Sequence, residues 1–369
     1  MKVAIRADAS SRIGSGHVMR CKTLADELRR RGADVRFVCR EQPGNLIHVL
    51  SAAGYRVAVL PPLADVDQSV DAEETIAALE GFAPDWLSVD HYGLDEEWES
   101  WVRHHADRLF VIDDLANRRH ACDALLDQNH LDDETPHRYR GLVPEQCHCV
   151  FGPGYALLQP LFWQLRRSLS PRDGFVRRLL VFFGAVDSRK QTVKVLQGLQ
   201  ASEFADVAID VVVGHANSDA PEIERLVIAR PGATLYRELP SLAGLMARAD
   251  MMLGAGGTTT WERCCLGLPS IVAITAANQE RFTTAVAAMG AQYSLGQAAT
   301  LSASDWVTAL REFRGSPERV RACAAAARLM TDGLGVYRVV TTLQPARSAQ
   351  VAARHAGRRA AAIGEDGDS

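Results

Sequence analysis

Short apolar runs that never alternate with polar residues recur along this chain, each followed by a stretch with helical spacing. The rhythm occurs twice. In the first half, residues 3–5, 35–39, 57–60, 86–89, 109–112 and 124–126 read as strands, with helices at about 17–31, 45–53 and 74–80. A strand that is apolar on both faces must be covered on both faces, which is the condition of a strand inside a parallel sheet flanked by helices. Residues 156–175, with Pro160, Pro171 and Gly174, show no clear period and read as a linker. The alternation then restarts, with strands at 179–183, 208–213, 234–236, 251–253 and 270–272 and helices at about 191–199, 222–229, 242–247 and 260–266. The fold class predicted is α/β, with two Rossmann-like domains in tandem at 1–155 and 176–344 and a cleft between their carboxyl strand edges. Residues 345–369 are rich in Ala and Arg and then acidic, and read as a tail, helical and then disordered.

Composition narrows the partners. A chain of 369 residues, 47% hydrophobic and 23% charged, has the make-up of a globular protein, and a net charge of −4 gives no electrostatic reason to bind nucleic acid. No apolar run reaches the ~20 residues that cross a bilayer, and the first strand begins too early to leave room for a signal peptide. The cytoplasm is the expected location, and membrane insertion is not expected. The eight cysteines form no metal framework, because Cys147-His148-Cys149 is followed by no second pair at zinc-ligand spacing. Neither a metal nor a cofactor is expected. Oligomeric state is not predicted.

Two glycine loops carry the chemistry. After the first strand come Gly14-Ser15-Gly16-His17, running into a helix that contains Arg20. Glycines let a ligand approach the backbone closely, a helix start offers unpaired N–H groups, and His17 adds a titratable imidazole. As a dinucleotide fingerprint the stretch is partial: Met19 stands where a third glycine is needed, and Glu41 is a candidate for the later acidic residue. The second loop, Gly254-Ala255-Gly256-Gly257-Thr258-Thr259-Thr260, has residues no larger than threonine between a strand and a helix. Its free N–H groups and hydroxyls suit a diphosphate, and Glu262 is placed to accept hydrogen bonds from ribose hydroxyls. No Gly-Lys-Ser/Thr follows, so it is not a nucleotide-hydrolysing P-loop. Asp90-His91-Tyr92-Gly93 sits at a strand's carboxyl end, as does the segment from Gly184 to Asp187. Residues 235–240 form a further turn able to meet a base edge.

Taken in order, Ser10 to His17, Val89 to Gly93, Gly184-x-x-Asp187, the Gly/Thr loop with Glu262, and Asn278-Gln279-Glu280 resemble the UDP-2,4-diacetamido-2,4,6-trideoxy-β-L-altropyranose hydrolases of pseudaminic acid biosynthesis. The resemblance covers residues 1 to about 340. It implies a GT-B architecture, related to UDP-sugar glycosyltransferases, and a metal-independent hydrolase that releases UDP with inversion at the anomeric carbon. It implies that His17 is the general base and Tyr92 its neighbour at the sugar. Glu262 would hold the ribose, Gly256, Gly257, Thr258 and Thr259 the diphosphate, and Asn278 and Gln279 the sugar or phosphates. Gly14, Gly16, Arg20, Asp90, His91 and Asp187 complete the expected binding set. The chain departs from the pattern at Gly184-Ala185-Val186-Asp187, where Gly-Gly-x-Asp is usual, and in its carboxyl-terminal extension. Two other readings use the same residues: a GT-B glycosyltransferase with a UDP-sugar donor, and a UDP-sugar-binding protein without turnover.

Overall fold

The apolar runs do become parallel strands. The structure, a computed structural model, describes residues 1–344 except 215, 216 and 238, with the backbone alone at 132, 133 and 136; the tail at 345–369 and part of the turn at 235–240 therefore lie outside the described residues. The first sheet comprises β1 (Lys2–Ala7), β2 (Asp34–Arg40), β3 (Arg56–Leu60), β4 (Trp86–Asp90), β5 (Arg108–Ile112), β6 (Ala124–Asp127) and β7 (His148–Phe151), in the order β3-β2-β1-β4-β5-β6-β7. The second comprises β8 (Arg178–Phe182), β9 (Ala208–Val213), β10 (Ala233–Arg237), β11 (Met251–Ala255), β12 (Ser270–Ile274) and β13 (Tyr293–Gln297), in the order β10-β9-β8-β11-β12-β13. All neighbours pair in parallel. Central strands β4, β11 and β12 are buried at every residue, which explains their continuous apolar sequence.

Each sheet has one place where the strand order reverses, between β1 and β4 and between β8 and β11. Flanking strands there send their following helices to opposite faces, so a crevice opens beyond their carboxyl ends. The loop with Gly14, Gly16 and His17 leaves β1, and Asp90 ends β4 directly opposite Ala7. In the second sheet the loop with Asp187 leaves β8 and the Gly/Thr loop leaves β11. Both glycine loops therefore stand at the two places in this architecture where ligands bind.

Three regions differ from the sequence expectation. β7 and β13 are added at sheet edges; both are short and incompletely buried, so neither shows an apolar run. Within the expected linker, Pro160–Ser168 is a helix started by Pro160, and Phe162 is buried in the second core. The helix Gly335–Leu343, expected in the second domain, returns to the first: Val336, Val339, Val340 and Leu343 pack among Val3, Ile5, Leu28 and Phe110. Trp86 Nε1 donates to the Leu343 carbonyl at 2.8 Å, tying this helix to β4. The chain thus crosses between the sheets twice. Gly335 marks the second crossing, since a Cβ there would lie 2.3 Å from the Ala156 carbonyl of the first.

If this helix completes the first core, Leu343→Ala should cost about 2–5 kcal/mol of stability. An unchanged urea midpoint in that variant would contradict the packing.

Candidate active site

The turn that delivers His17 is closed by its own backbone. Gly14 N–H donates to the Ser10 carbonyl at 2.8 Å, and Ser10 Oγ accepts from the N–H groups of Arg12 and Ile13. Gly14 has φ of +81°, a left-handed conformation that favours glycine. The helix Gly16–Arg30 starts at once, placing His17 in its first turn.

Behind His17 lies a buried ionic cluster. Asp90 is fully buried; its oxygens accept from His17 Nδ1 at 2.6 Å and from Arg20 Nε and Nη2 at 2.6 and 2.7 Å. Burial alone would raise the Asp90 carboxyl, but the Arg20 guanidinium and the His17 ring hold it far below the ordinary carboxylate range. An ionised carboxylate only accepts hydrogen bonds, so the shared proton sits on His17 Nδ1, and in the neutral form of the ring the lone pair is on Nε2. Nε2 makes no hydrogen bond among the described residues. This is the arrangement of a histidine prepared to take a proton.

A second carboxylate continues the network. Asp114, two residues beyond β5, accepts from Arg20 Nη1 at 2.9 Å and from the Tyr92 hydroxyl at 2.7 Å. Tyr92 stands edge-on to His17, with ring centroids 4.5 Å apart. The sequence reading passed over Asp114. Its signal was present: like Asp90, it follows a buried strand at the carboxyl edge of the first sheet.

The second sheet meets this cluster directly. Asn278 Nδ2 donates to the Tyr92 hydroxyl at 3.1 Å, and a Cβ on Gly16 would lie 3.4 Å from Thr258 Cγ2. Arg281 pairs with Glu134 nearby. The two glycine loops therefore face each other at contact distance. Gly256 is required by packing, because a Cβ there would lie 2.1 Å from Thr283 Oγ1. Gly257, Thr258 and Thr259 are at least partly exposed at the start of the helix Thr259–Cys265. Gln279 Oε1 accepts from both the N–H and the hydroxyl of Thr275, which pins its amide beside Gly257.

Four residues expected to touch ligand are occupied within the fold. Arg20 and Asp90 position His17 and Tyr92 from behind. His91 Nδ1 accepts from Gly93 N–H and Nε2 lies 3.5 Å from Asp8; burial and the Arg6 charge push its pKa down to about 4, so the ring is neutral. Asp187 accepts from the N–H groups of Gln191 and Thr192 at 3.0 and 2.8 Å, and so caps the helix Gln191–Gly198. A carboxylate already at a helix start repels a phosphate there.

Known proteins share this architecture. No protein-family model matches the chain. It is 25% identical over 347 residues to the spore coat polysaccharide biosynthesis protein SpsG of Bacillus subtilis, covering 93% of this chain and 98% of that one. It is 23% identical over 291 residues to the UDP-2,4-diacetamido-2,4,6-trideoxy-β-L-altropyranose hydrolase of Campylobacter jejuni, covering 79% and 97%. The chain is a distant relative of both. Among solved structures it resembles Acinetobacter baumannii MurG (TM-score 0.64, 12% identity, 93% and 99% covered). It also resembles the Neisseria meningitidis UDP-GlcNAc 2-epimerase bound to UDP-GlcNAc (TM-score 0.63, 13% identity, 93% and 99% covered). The fold is GT-B, as the sequence resemblance implied.

Glu262 stands apart from the ionic clusters of the first sheet. Its carboxyl has no hydrogen-bond partner among the described residues, and burial pushes its pKa up to about 7 while Arg263 opposes the shift. The unfolded chain loses this proton near the ordinary glutamate value, before the folded one does. Stability should therefore fall as pH rises from about 4.5 to about 7. Glu262→Gln should remove that component; identical pH–stability curves for variant and parent would show that Glu262 is not held protonated.

Proposed function

We propose that this protein hydrolyses a UDP-linked diacetamido-trideoxy sugar to the free sugar and UDP, with UDP-2,4-diacetamido-2,4,6-trideoxy-β-L-altropyranose as the substrate and pseudaminic acid biosynthesis as the setting. One observation carries the reading: a histidine whose Nδ1 is held by a buried carboxylate, with Nε2 unpaired among the described residues, on a loop in contact with a donor-rich glycine loop across the crevice. The relationship to the Campylobacter hydrolase supports the substrate class.

In this mechanism His17 Nε2 takes a proton from water as its oxygen attacks the anomeric carbon, and Asp90 stabilises the imidazolium that forms. Arg20 keeps Asp90 ionised throughout. Tyr92, with its hydroxyl donating to Asp114, presents its ring edge and oxygen beside the attacking water and the sugar. The bond between the anomeric carbon and the phosphate oxygen breaks, and the charge that collects on UDP is met by the N–H groups of Gly256 and Gly257 and the hydroxyls of Thr258 and Thr259. Glu262 accepts from the ribose hydroxyls, which lowers its pKa on binding. Asn278 and Gln279 close over the sugar and phosphates. Attack opposite the leaving group inverts the anomeric centre, and the chemistry needs only a placed water and a diphosphate cradle.

A second reading is transfer of the sugar to an acceptor other than water. SpsG, matched over almost its whole length, is named for polysaccharide biosynthesis, which favours keeping it. Incubation with the UDP-sugar in ¹⁸O-water without acceptor separates the two: hydrolysis releases UDP and places the label on the sugar's anomeric hydroxyl. UDP release that starts only when an acceptor is added would replace hydrolase with transferase. His17→Ala should retain UDP affinity and lose about 10²-fold or more in turnover. Full activity in that variant would remove His17 from the reaction. Glu262→Ala should weaken UDP binding in calorimetry, and native affinity would refute the ribose contact.

A further inference from the structure

The buried arginines of the first sheet all have carboxylate partners: Arg6 with Asp8 and Asp71, Arg20 with Asp90 and Asp114, Arg40 with Asp71 and Glu74. Arg263 does not. It lies in the helix Thr259–Cys265, is 1% exposed, and forms no ion pair among the described residues. Its Nη1 donates to the Ala255 carbonyl and to Thr259 Oγ1, both at 3.1 Å; Nη2 donates to Thr260 Oγ1 at 2.9 Å and to Gln292 Oε1 at 3.1 Å. Its Nε is buried with no partner. A guanidinium cannot release its proton under ordinary conditions, so a net positive charge is held beneath the Gly/Thr loop. Arg172 and Arg230 also lack carboxylates, but their acceptors are backbone carbonyls. Among the described residues, Arg263 is the buried arginine whose acceptors include hydroxyls of the Gly/Thr loop.

Those hydroxyls matter because each has a single hydrogen. Thr259 Oγ1 accepts from Arg263, so its own hydrogen is free to donate, and Thr259 is the partly exposed member of the pair. We infer that Arg263 is a positioning residue for the diphosphate: it fixes Thr259 as a donor directed at the crevice and supplies, from inside the fold, the positive charge that the leaving group of a nucleotide sugar balances. The inference rests on the assignment of the Gly/Thr loop to UDP. It gives the loop a cation without a metal or a lysine at the surface, and bound diphosphate adds to the counter-charge that Glu262, beside Arg263 in the chain, supplies when ionised. Removing half of such a buried charge pair is costly to binding.

The test compares UDP with uridine, which lacks the phosphates, by calorimetry on the full chain. Arg263→Gln should weaken UDP about 10- to 100-fold, the effect of losing a charge-assisted contact, while uridine affinity is unchanged. Arg263→Lys should fall between, because it keeps the charge and loses the fork. Thr259→Val removes the outward donor and one acceptor of Arg263 while the buried charge stays, and should show the same selective loss; if Arg263→Gln does not fold, Arg263→Lys, which keeps the charge, decides the matter by whether UDP weakens while uridine does not. Arg230→Gln serves as the control for a buried arginine away from the loop and should leave the UDP-to-uridine ratio unaltered. Equal weakening of both ligands in the Arg263 and Thr259 variants, or no weakening of UDP, would overturn the inference while leaving UDP binding in place. A parent protein that binds uridine and UDP equally would instead overturn the assignment of the loop itself.

Discussion

The buried carboxylate of Asp90 is the constraint on which the arrangement depends. An aspartate with no exposure to water stays ionised only if its field is balanced, and Arg20, one helical turn beyond His17, does this with two hydrogen bonds. Because Asp90 ends β4 while His17 and Arg20 start the helix after β1, the ion pair also fastens the sheet to the helix at the reversal of strand order. Fold and chemistry share this contact. The same guanidinium reaches Asp114, which in turn holds Tyr92, so three loops of the first sheet are fixed relative to each other by one cation.

The second sheet contributes a different kind of site. Where the first sheet builds its crevice edge from ion pairs, the second builds it from small residues, backbone N–H groups and a buried arginine without a carboxylate. The first edge suits proton transfer and the second suits anion binding. Contact between Gly16 and Thr258 and between Tyr92 and Asn278 brings the two edges together across the crevice. Neither half alone holds both.

Much of this was present in the residue pattern. Continuous apolar runs reported the parallel sheets because burial on both faces is a local property of a strand, and the glycine loops reported themselves because close approach excludes larger side chains. Partners distant in sequence were not readable. Asp90 looks like a binding residue until Arg20, seventy positions earlier, is seen to occupy it. Asp187 looks like a binding residue until it is found capping the next helix. His91 reads as a binding residue from the sequence, whereas in the fold it is buried beside Arg6, neutral, and bonded to Gly93. Arg263 carries no local signal at all: a charge acquires its role from what lies across the fold, and no spacing rule encodes that. The short edge strands β7 and β13 and the returning helix Gly335–Leu343 carry too little local pattern to declare which sheet they join.

That returning helix governs the order of assembly during synthesis. The first sheet's core lacks Val336, Val339, Val340 and Leu343 until residue 343 has left the ribosome, whereas the residues of the second sheet have all emerged by then. The amino-terminal half, translated first, is therefore the last to be sealed. Chaperones that hold nascent chains would meet its open apolar face throughout elongation, and a fragment ending before residue 335 would carry that face permanently.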